Sequence, residues 1–196
     1  KVAPETMLSP ILGPTWEYRY RARFSARYVA KKGALVGFRE RHSSFVADMH
    51  TCEVVPARIS ALLVPLRELI VSLTIRERLP QVELAIGDAV DVLVLRVLEP
   101  PEASDQAKLR QFALRHRVQL FLQPKGPASI YPFFPLDAPS LQYRIPDFDL
   151  TFPFSPADFT QVNHEMNRAL VRRAVTLLDP HPGDYIGDFF CGLGNF

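Results

Sequence analysis

The spacing of apolar and polar positions changes several times along the chain, and each change marks an element. Trp16, Tyr18, Tyr20, Ala22 and Phe24 alternate with Glu17, Arg19, Arg21, Arg23 and Ser25. A period of two predicts a strand with an aromatic face inward and an arginine face outward. Lys31-Lys32-Gly33 reads as a turn, and residues 34–39 as the returning strand. Ile59, Leu62, Leu63, Leu66, Leu69 and Ile70 then follow a helical spacing across residues 57–73, a helix that Pro65 should kink or split. Residues 82–86 and 90–98 predict a hairpin around Gly87-Asp88. Residues 105–116 predict a helix capped by Ser104 or Asp105, and 118–123 a strand. Residues 124–146 are rich in Pro and aromatics and read as loop with one short strand, before a further strand at 148–152. To this point the pattern is that of an α+β domain of antiparallel hairpins with a few helices.

Near Phe154 the pattern changes. Residues 163–178 predict one amphipathic helix, with Met166, Ala169, Leu170, Ala174 and Leu177 along its apolar side. Asp179-Pro180-His181-Pro182-Gly183 stops it. Residues 185–190 predict an apolar strand that runs into Cys191-Gly192-Leu193-Gly194-Asn195. A helix, a strand and a glycine turn open a parallel α/β unit of the Rossmann type. One strand cannot make a sheet, so the reading implies a second domain that begins here. The division expected is a central domain over 1–153 and the start of another over 154–196.

Charge sharpens the first half. Residues 17–41 hold eight basic residues against two acidic ones, although the net charge of the 196-residue chain is only +2. On a strand the arginines would stand about 7 Å apart, from roughly 3.3 Å of rise per residue. That spacing is close to the phosphate spacing of a nucleic-acid strand, and Arg19, Arg21, Arg23, Lys31 and Lys32 are candidate RNA contacts. A solvated face that protects a sheet edge would show the same pattern. With 47% hydrophobic residues the composition excludes a disordered or collagen-like chain. No apolar run is long enough to span a membrane, and Lys1-Val2-Ala3-Pro4 is not followed by the apolar stretch of a signal peptide. The chain does not start with Met, which suggests that it begins inside a longer one. Two cysteines, Cys52 and Cys191, make no disulfide framework and suit a reducing, cytoplasmic setting. The five histidines show no metal-ligand spacing.

Two segments carry chemistry. Asp188-Phe189-Phe190-Cys191-Gly192-Leu193-Gly194-Asn195-Phe196 places glycines directly after an apolar strand, where backbone can approach a ligand. It resembles motif I of class I methyltransferases that use S-adenosylmethionine. Phe154-Ser155-Pro156-Ala157-Asp158-Phe159-Thr160-Gln161-Val162-Asn163 leads into the helix. Together the two segments resemble the RNA uridine-C5 methyltransferase family, in particular the branch that makes 5-methyluridine in large-subunit ribosomal RNA. The Trp16–Arg23 alternation and Val36-Gly37-Phe38-Arg39 also resemble that family, whereas residues 73–146 match only in general layout. One departure is Gly187, where the family prefers a bulky aliphatic residue.

The resemblance implies a mechanism and a set of roles. In the family a Cys thiolate adds to C6 of the uracil, C5 takes the methyl group, a base removes the C5 proton and the Cys leaves. The uridine must first be turned out of the RNA stack. The nucleophile lies in a later motif, beyond Phe196, so Cys191 is read as a small buried residue of the cofactor turn. The 196 residues alone are then expected to be inactive. By resemblance Gln161, Phe190 and Asn195 line the cofactor site, Gly192 and Gly194 permit its approach, and Phe159 stacks on a displaced base. Cys52 alone reads as a packed thiol. The resemblance instead implies the fourth ligand of a [4Fe–4S] cluster in the longer parent, whose other three cysteines are not in this sequence. Ribosomal RNA is the expected partner, and a monomer the expected state. A non-catalytic RNA-binding module would not need the glycine turn. A methyltransferase acting on transfer RNA or on another substrate is the remaining alternative.

Overall fold

The computed structural model describes residues 3–195. In chain order the elements are β1 (Arg21–Val29), β2 (Gly33–Gly37), α1 (Ala57–Ser60), α2 (Leu63–Ser72), β3 (Gln81–Ile86), β4 (Asp91–Arg96), α3 (Ala103–His116), β5 (Gln119–Gln123), β6 (Tyr131–Phe134), β7 (Gln142–Ile145), β8 (Leu150–Pro153) and α4 (His164–Leu178). Six strands form one sheet in the order β2-β1-β3-β4-β5-β6, and β7 and β8 form a separate hairpin. Neighbours in the large sheet run antiparallel except β4 and β5, which are parallel and joined through α3. The mixed sheet refines the expectation of antiparallel hairpins alone: residues 90–123 form a βαβ crossover.

Alternation along the central strands sorts side chains into two cores. Val82, Leu84, Ile86, Leu93, Leu95, Leu120 and Leu122 face α2 and α3, where they meet Leu63, Leu66, Ile70, Leu109 and Phe112. Ala85, Val92 and Val94 face the other way, toward Tyr143 and Ile145 of β7, Phe154, and Val171 of α4. Coverage on both faces is why β4 is an unbroken apolar run. Packing runs on across residue 153, because Phe154 and Val171 share this second core with the sheet. No helix among the described residues is long and apolar enough to cross a membrane.

Several expectations change in detail. The helix over 57–73 is split, with α1 ending at Ser60 and α2 starting at Leu63. Pro65 has no N–H for the carbonyl of Ala61, so the break falls one turn before it. Asp105 does not cap α3. It lies inside the first turn, fully buried, and its carboxylate accepts from Thr74 N at 2.9 Å and Thr74 Oγ1 at 2.6 Å. Residues 124–146 contain two short strands and not one. The first strand starts at Arg21, so Trp16 is not on an inward face and is exposed. The inward row is Ala22, Phe24 and Ala26.

The end of the chain departs most. Residues 185–190 form no strand, and Tyr185, Phe189 and Phe190 are exposed. A strand needs a neighbour for its N–H and C=O groups, and none lies beside this segment among the described residues. Helix α4 buries His164, Asn167 and Val171, whereas Leu170, Ala174 and Leu177 of the expected apolar side are exposed. Phe196 lies outside the described residues, as do Lys1 and Val2.

Candidate functional site

The segment 154–163 is held by backbone at both ends. Phe154 N donates to Leu141 O at 2.9 Å, and Tyr20 N donates to Val162 O at 2.7 Å. Between them Ser155 N donates to Asp158 Oδ2 at 2.7 Å and Asp158 N to Ser155 O at 2.9 Å, which closes a tight turn. The Arg21 guanidinium reaches across from β1 and donates to the carbonyls of Pro156 and Asp158. Burial lowers its pKa, against the opposing pull of Glu83 and Asp158. Asn163 closes the segment as N-cap of α4, its Oδ1 accepting from Met166 N at 2.9 Å.

The glycine turn is tied to the same helix by side chains. Asn167 Nδ2 donates to Asn195 Oδ1 and Asn195 Nδ2 to Asn167 Oδ1, both at 2.8 Å. Tyr143 Oη adds a third bond to Asn195 Oδ1 at 2.9 Å. Burial raises the Tyr143 pKa, which keeps the phenol protonated as a donor. Leu193 packs against the second core. Gly192 and Gly194 have φ of +60° and +75°, a region that favours glycine, and a Cβ at either would meet open space.

These two held segments enclose a cavity of about 490 Å³. Phe159, Gln161, Phe190, Gly192 and Asn195 line it, with Tyr143, Asp158, Asp188, Phe189, Cys191 and Leu193. The volume lies within the ordinary range for a small-ligand site, and the lining mixes aromatic rings with a few polar groups. Rings can stack on a planar base, and rings with carboxylates complement a cationic group. Those properties fit an S-adenosylmethionine-like molecule. Gly194 is the one expected cofactor residue that does not line the cavity. A cavity of about 570 Å³ elsewhere, between Arg58, Asp91, Leu114 and Pro139, holds none of the motif residues.

Beside the cavity His164 stacks on Tyr20 with ring centroids 4.4 Å apart and lies 5.4 Å from Tyr143. Burial pushes its pKa down to about 4, Arg168 adds to the effect and Asp88 opposes it. His164 is therefore neutral at pH 7. No histidine lines the cavity, and Cys191, expected to be buried, is exposed. With the segment before it unpaired, nothing among the described residues covers this thiol.

The arginine face of β1 is not a free comb. Arg21 is occupied by the carbonyls of the 154–163 segment, Arg23 pairs with Glu83 at 3.0 Å, and Arg19 is half-buried with its Nε unpartnered. Arg21 and Arg23 share one face of β1 as the alternation implied, Arg19 precedes the strand, and alternation could not say what covers that face. Lys31 and Lys32 are exposed on the β1–β2 turn, and Phe159 is exposed at the cavity rim. Cys52 is buried in the first core, and its N–H donates to Ser60 Oγ at 2.8 Å. Among the described residues no group of three or more His, Cys, Asp or Glu is placed to hold a metal.

Tyr143, Asn167 and His164 were missed by sequence reasoning. Leu141, Tyr143 and Ile145 do alternate, which marks an inward tyrosine. His164, Asn167 and Val171 follow a helical spacing, but a polar stripe of that kind ordinarily faces solvent.

No family model matches the sequence. The chain is similar over its whole length to proteins named 23S rRNA (uracil(1939)-C(5))-methyltransferase RlmD. It is 61% identical to that of Nitrosospira multiformis, 58% to that of Ralstonia nicotianae and 59% to that of Burkholderia pseudomallei. It covers 45%, 44% and 42% of those proteins, so it spans somewhat under half the length of the relatives it matches. Its fold is similar to the crystal structure of the Pyrococcus abyssi tRNA (uracil-54, C5)-methyltransferase in complex with S-adenosyl-L-homocysteine. The TM-score is 0.66 at 18% identity, over 93% of this chain and 45% of that one.

Proposed function

We propose that these residues are the central domain (1–153) and the opening of the S-adenosylmethionine-dependent catalytic domain (154–196) of a 23S rRNA (uracil-C5)-methyltransferase. The identity of about 60% over the whole chain supports the ribosomal substrate over transfer RNA. The observation that carries the reading is the convergence of two motif segments on one cavity, each held by its own hydrogen bonds.

When bound, S-adenosylmethionine supplies an electrophilic methyl group. The chain's own residues then bind and orient. Gln161 offers an amide to the ligand's polar groups, and Phe190 an aromatic surface. Gly192 and Gly194 let backbone come close, and Asn195 holds the turn in place. Phe159, exposed at the rim, offers a stacking face to a base displaced from RNA. Arg19, Arg23, Lys31 and Lys32 add positive charge toward the phosphates, and Arg21 serves the fold of the cavity wall. Cys191 has no base beside it. The nucleophile that adds to uracil C6 is assigned to residues outside this chain. Cys52 is the one thiolate these residues offer to a [4Fe–4S] cluster completed from outside them. The working state is a cytoplasmic monomer on ribosomal RNA.

The test is transfer of tritiated methyl from S-adenosylmethionine by the full-length protein to unmodified 23S rRNA and, separately, to unmodified transfer RNA. Label recovered as 5-methyluridine in 23S rRNA alone is expected. Label in transfer RNA alone would move the protein to the other branch.

A further inference from the structure

A second concave site lies at the far end of β1. A cavity of about 360 Å³ is lined by Ser25, Arg27, Tyr28, Arg39, Ser44 and Arg76, among others, and Glu77 is its one acidic lining residue. Arg39 Nε donates to Ser25 Oγ at 3.3 Å, which aims its guanidinium along the β1 face. The Arg76 guanidinium sits 4.9 Å over the Tyr28 ring. Its Nε is buried and has no hydrogen-bond partner. A buried donor left unpaired is costly, so an acceptor of matching chemistry belongs there. Among the described residues none of the three arginines is in an ion pair, in contrast to Arg23 on the same strand. Three guanidinium groups against one carboxylate, with two serine hydroxyls, suit a phosphate group. Planar guanidinium forks match phosphate oxygens in pairs.

The position adds direction. Arg21, Arg23, Ser25 and Arg27 alternate along one face of β1. Arg21 holds the wall of the candidate cofactor cavity and Arg27 lines the second site. The six residue-to-residue steps from Arg21 to Arg27 span roughly 20 Å at about 3.3 Å per step. An extended strand of RNA whose displaced base reaches Phe159 can lie along that face. We propose that Arg27, Arg39 and Arg76 form a cradle for a backbone phosphodiester of the RNA substrate, flanking the modified uridine. The assignment rests on the RNA methyltransferase reading and adds to it a contact site distinct from the cofactor cavity.

The experiment uses the full-length protein, a 23S rRNA fragment carrying the target uridine, and a scrambled RNA of equal length. Arg27→Gln and Arg39→Gln are made singly, because both side chains are exposed and neither supports the core. Affinity is measured across a salt series, with a thermal melt and the cofactor affinity beside it. Each variant is expected to weaken both RNAs by the same factor, roughly fivefold, and to reduce the salt slope by about 0.7–0.9. Melting temperature, cofactor affinity and turnover at saturating RNA stay unchanged. Unchanged affinity and slope in variants of an active enzyme reject the cradle and leave the functional reading standing. Weakening confined to the target sequence signals a base contact and overturns the phosphate assignment. A wild-type protein that neither binds nor methylates RNA sinks the cradle together with the reading beneath it.

Discussion

Asn167 and Asn195 exchange hydrogen bonds in both directions, 2.8 Å each way, across 28 positions of sequence. Each carboxamide presents donor and acceptor in one plane, so the pair fixes both side chains at once. Asn167 is only 2% exposed, and the glycine turn is thereby locked to the helix that follows the other cavity segment. The glycine turn is held by this pair together with Tyr143 Oη and not by strand pairing, since residues 185–190 form no strand.

Asn167→Ala removes both bonds and leaves the Asn195 amide short of partners. A half-buried polar group in that state costs about 1–3 kcal/mol. Cofactor affinity of the full-length protein should fall about tenfold, which corresponds to about 1.4 kcal/mol. Calorimetric titration with S-adenosylhomocysteine measures it. Asn167→Asp sets a buried carboxylate oxygen against the acceptor Asn195 Oδ1, and should lower affinity at least as far. Equal affinity in all three proteins would mean that the turn is held without the pair.

Arg21→Ala tests a different role from the one its strand position suggests. The guanidinium is half-buried against two carbonyls, so its loss should destabilise by about 2 kcal/mol, visible as a lower urea midpoint. Methyl transfer should fall because the wall carrying Phe159 and Gln161 loosens. The salt slope of RNA binding should not change, in contrast to Arg27→Gln. A reduced slope with an unchanged midpoint would return Arg21 to the RNA surface.

His164 makes stability depend on pH in a defined direction. Its folded pKa is about 4 against an ordinary 6.5, mainly through burial. Between those values the unfolded chain binds the proton and the folded chain does not, so stability falls as pH drops from 6.5 toward 4. The loss approaches about 3 kcal/mol at the acid end. His164→Phe keeps a ring against Tyr20 and cannot take a proton. Its melting temperature should fall less steeply than that of the wild type across this window. Parallel curves would remove His164 as the source.

Cys52→Ser addresses the cluster. In full-length protein purified without oxygen, the substitution is expected to remove or weaken visible iron–sulfur absorbance and iron content. Identical iron content in both proteins would make Cys52 a packed thiol of the first core, in keeping with its 6% exposure.

Local pattern alone determined most of the elements. Apolar runs and turn residues placed β2 to β5 to within a few residues, the period-two run placed β1 five residues early, and the amphipathic run after Asn163 gave α4. The two motif segments, and with them the resemblance, are likewise local strings. Tertiary structure decided which of these residues meet. Whether β4 and β5 run parallel depends on the route of α3, which periodicity does not encode. Whether Arg21 faces RNA or a carbonyl depends on a segment 135 residues away, and alternation reports only the side of the strand. Asn167 carries no local sign of burial, because a polar residue on a helix is ordinarily solvated. It is buried because its hydrogen-bonding groups are satisfied by an amide that only the folded chain brings within 3 Å. The apolar string 185–190 shows the converse. Sequence supplied a strand's composition, but a strand exists only where a neighbour takes its backbone hydrogen bonds, and among the described residues none stands beside it.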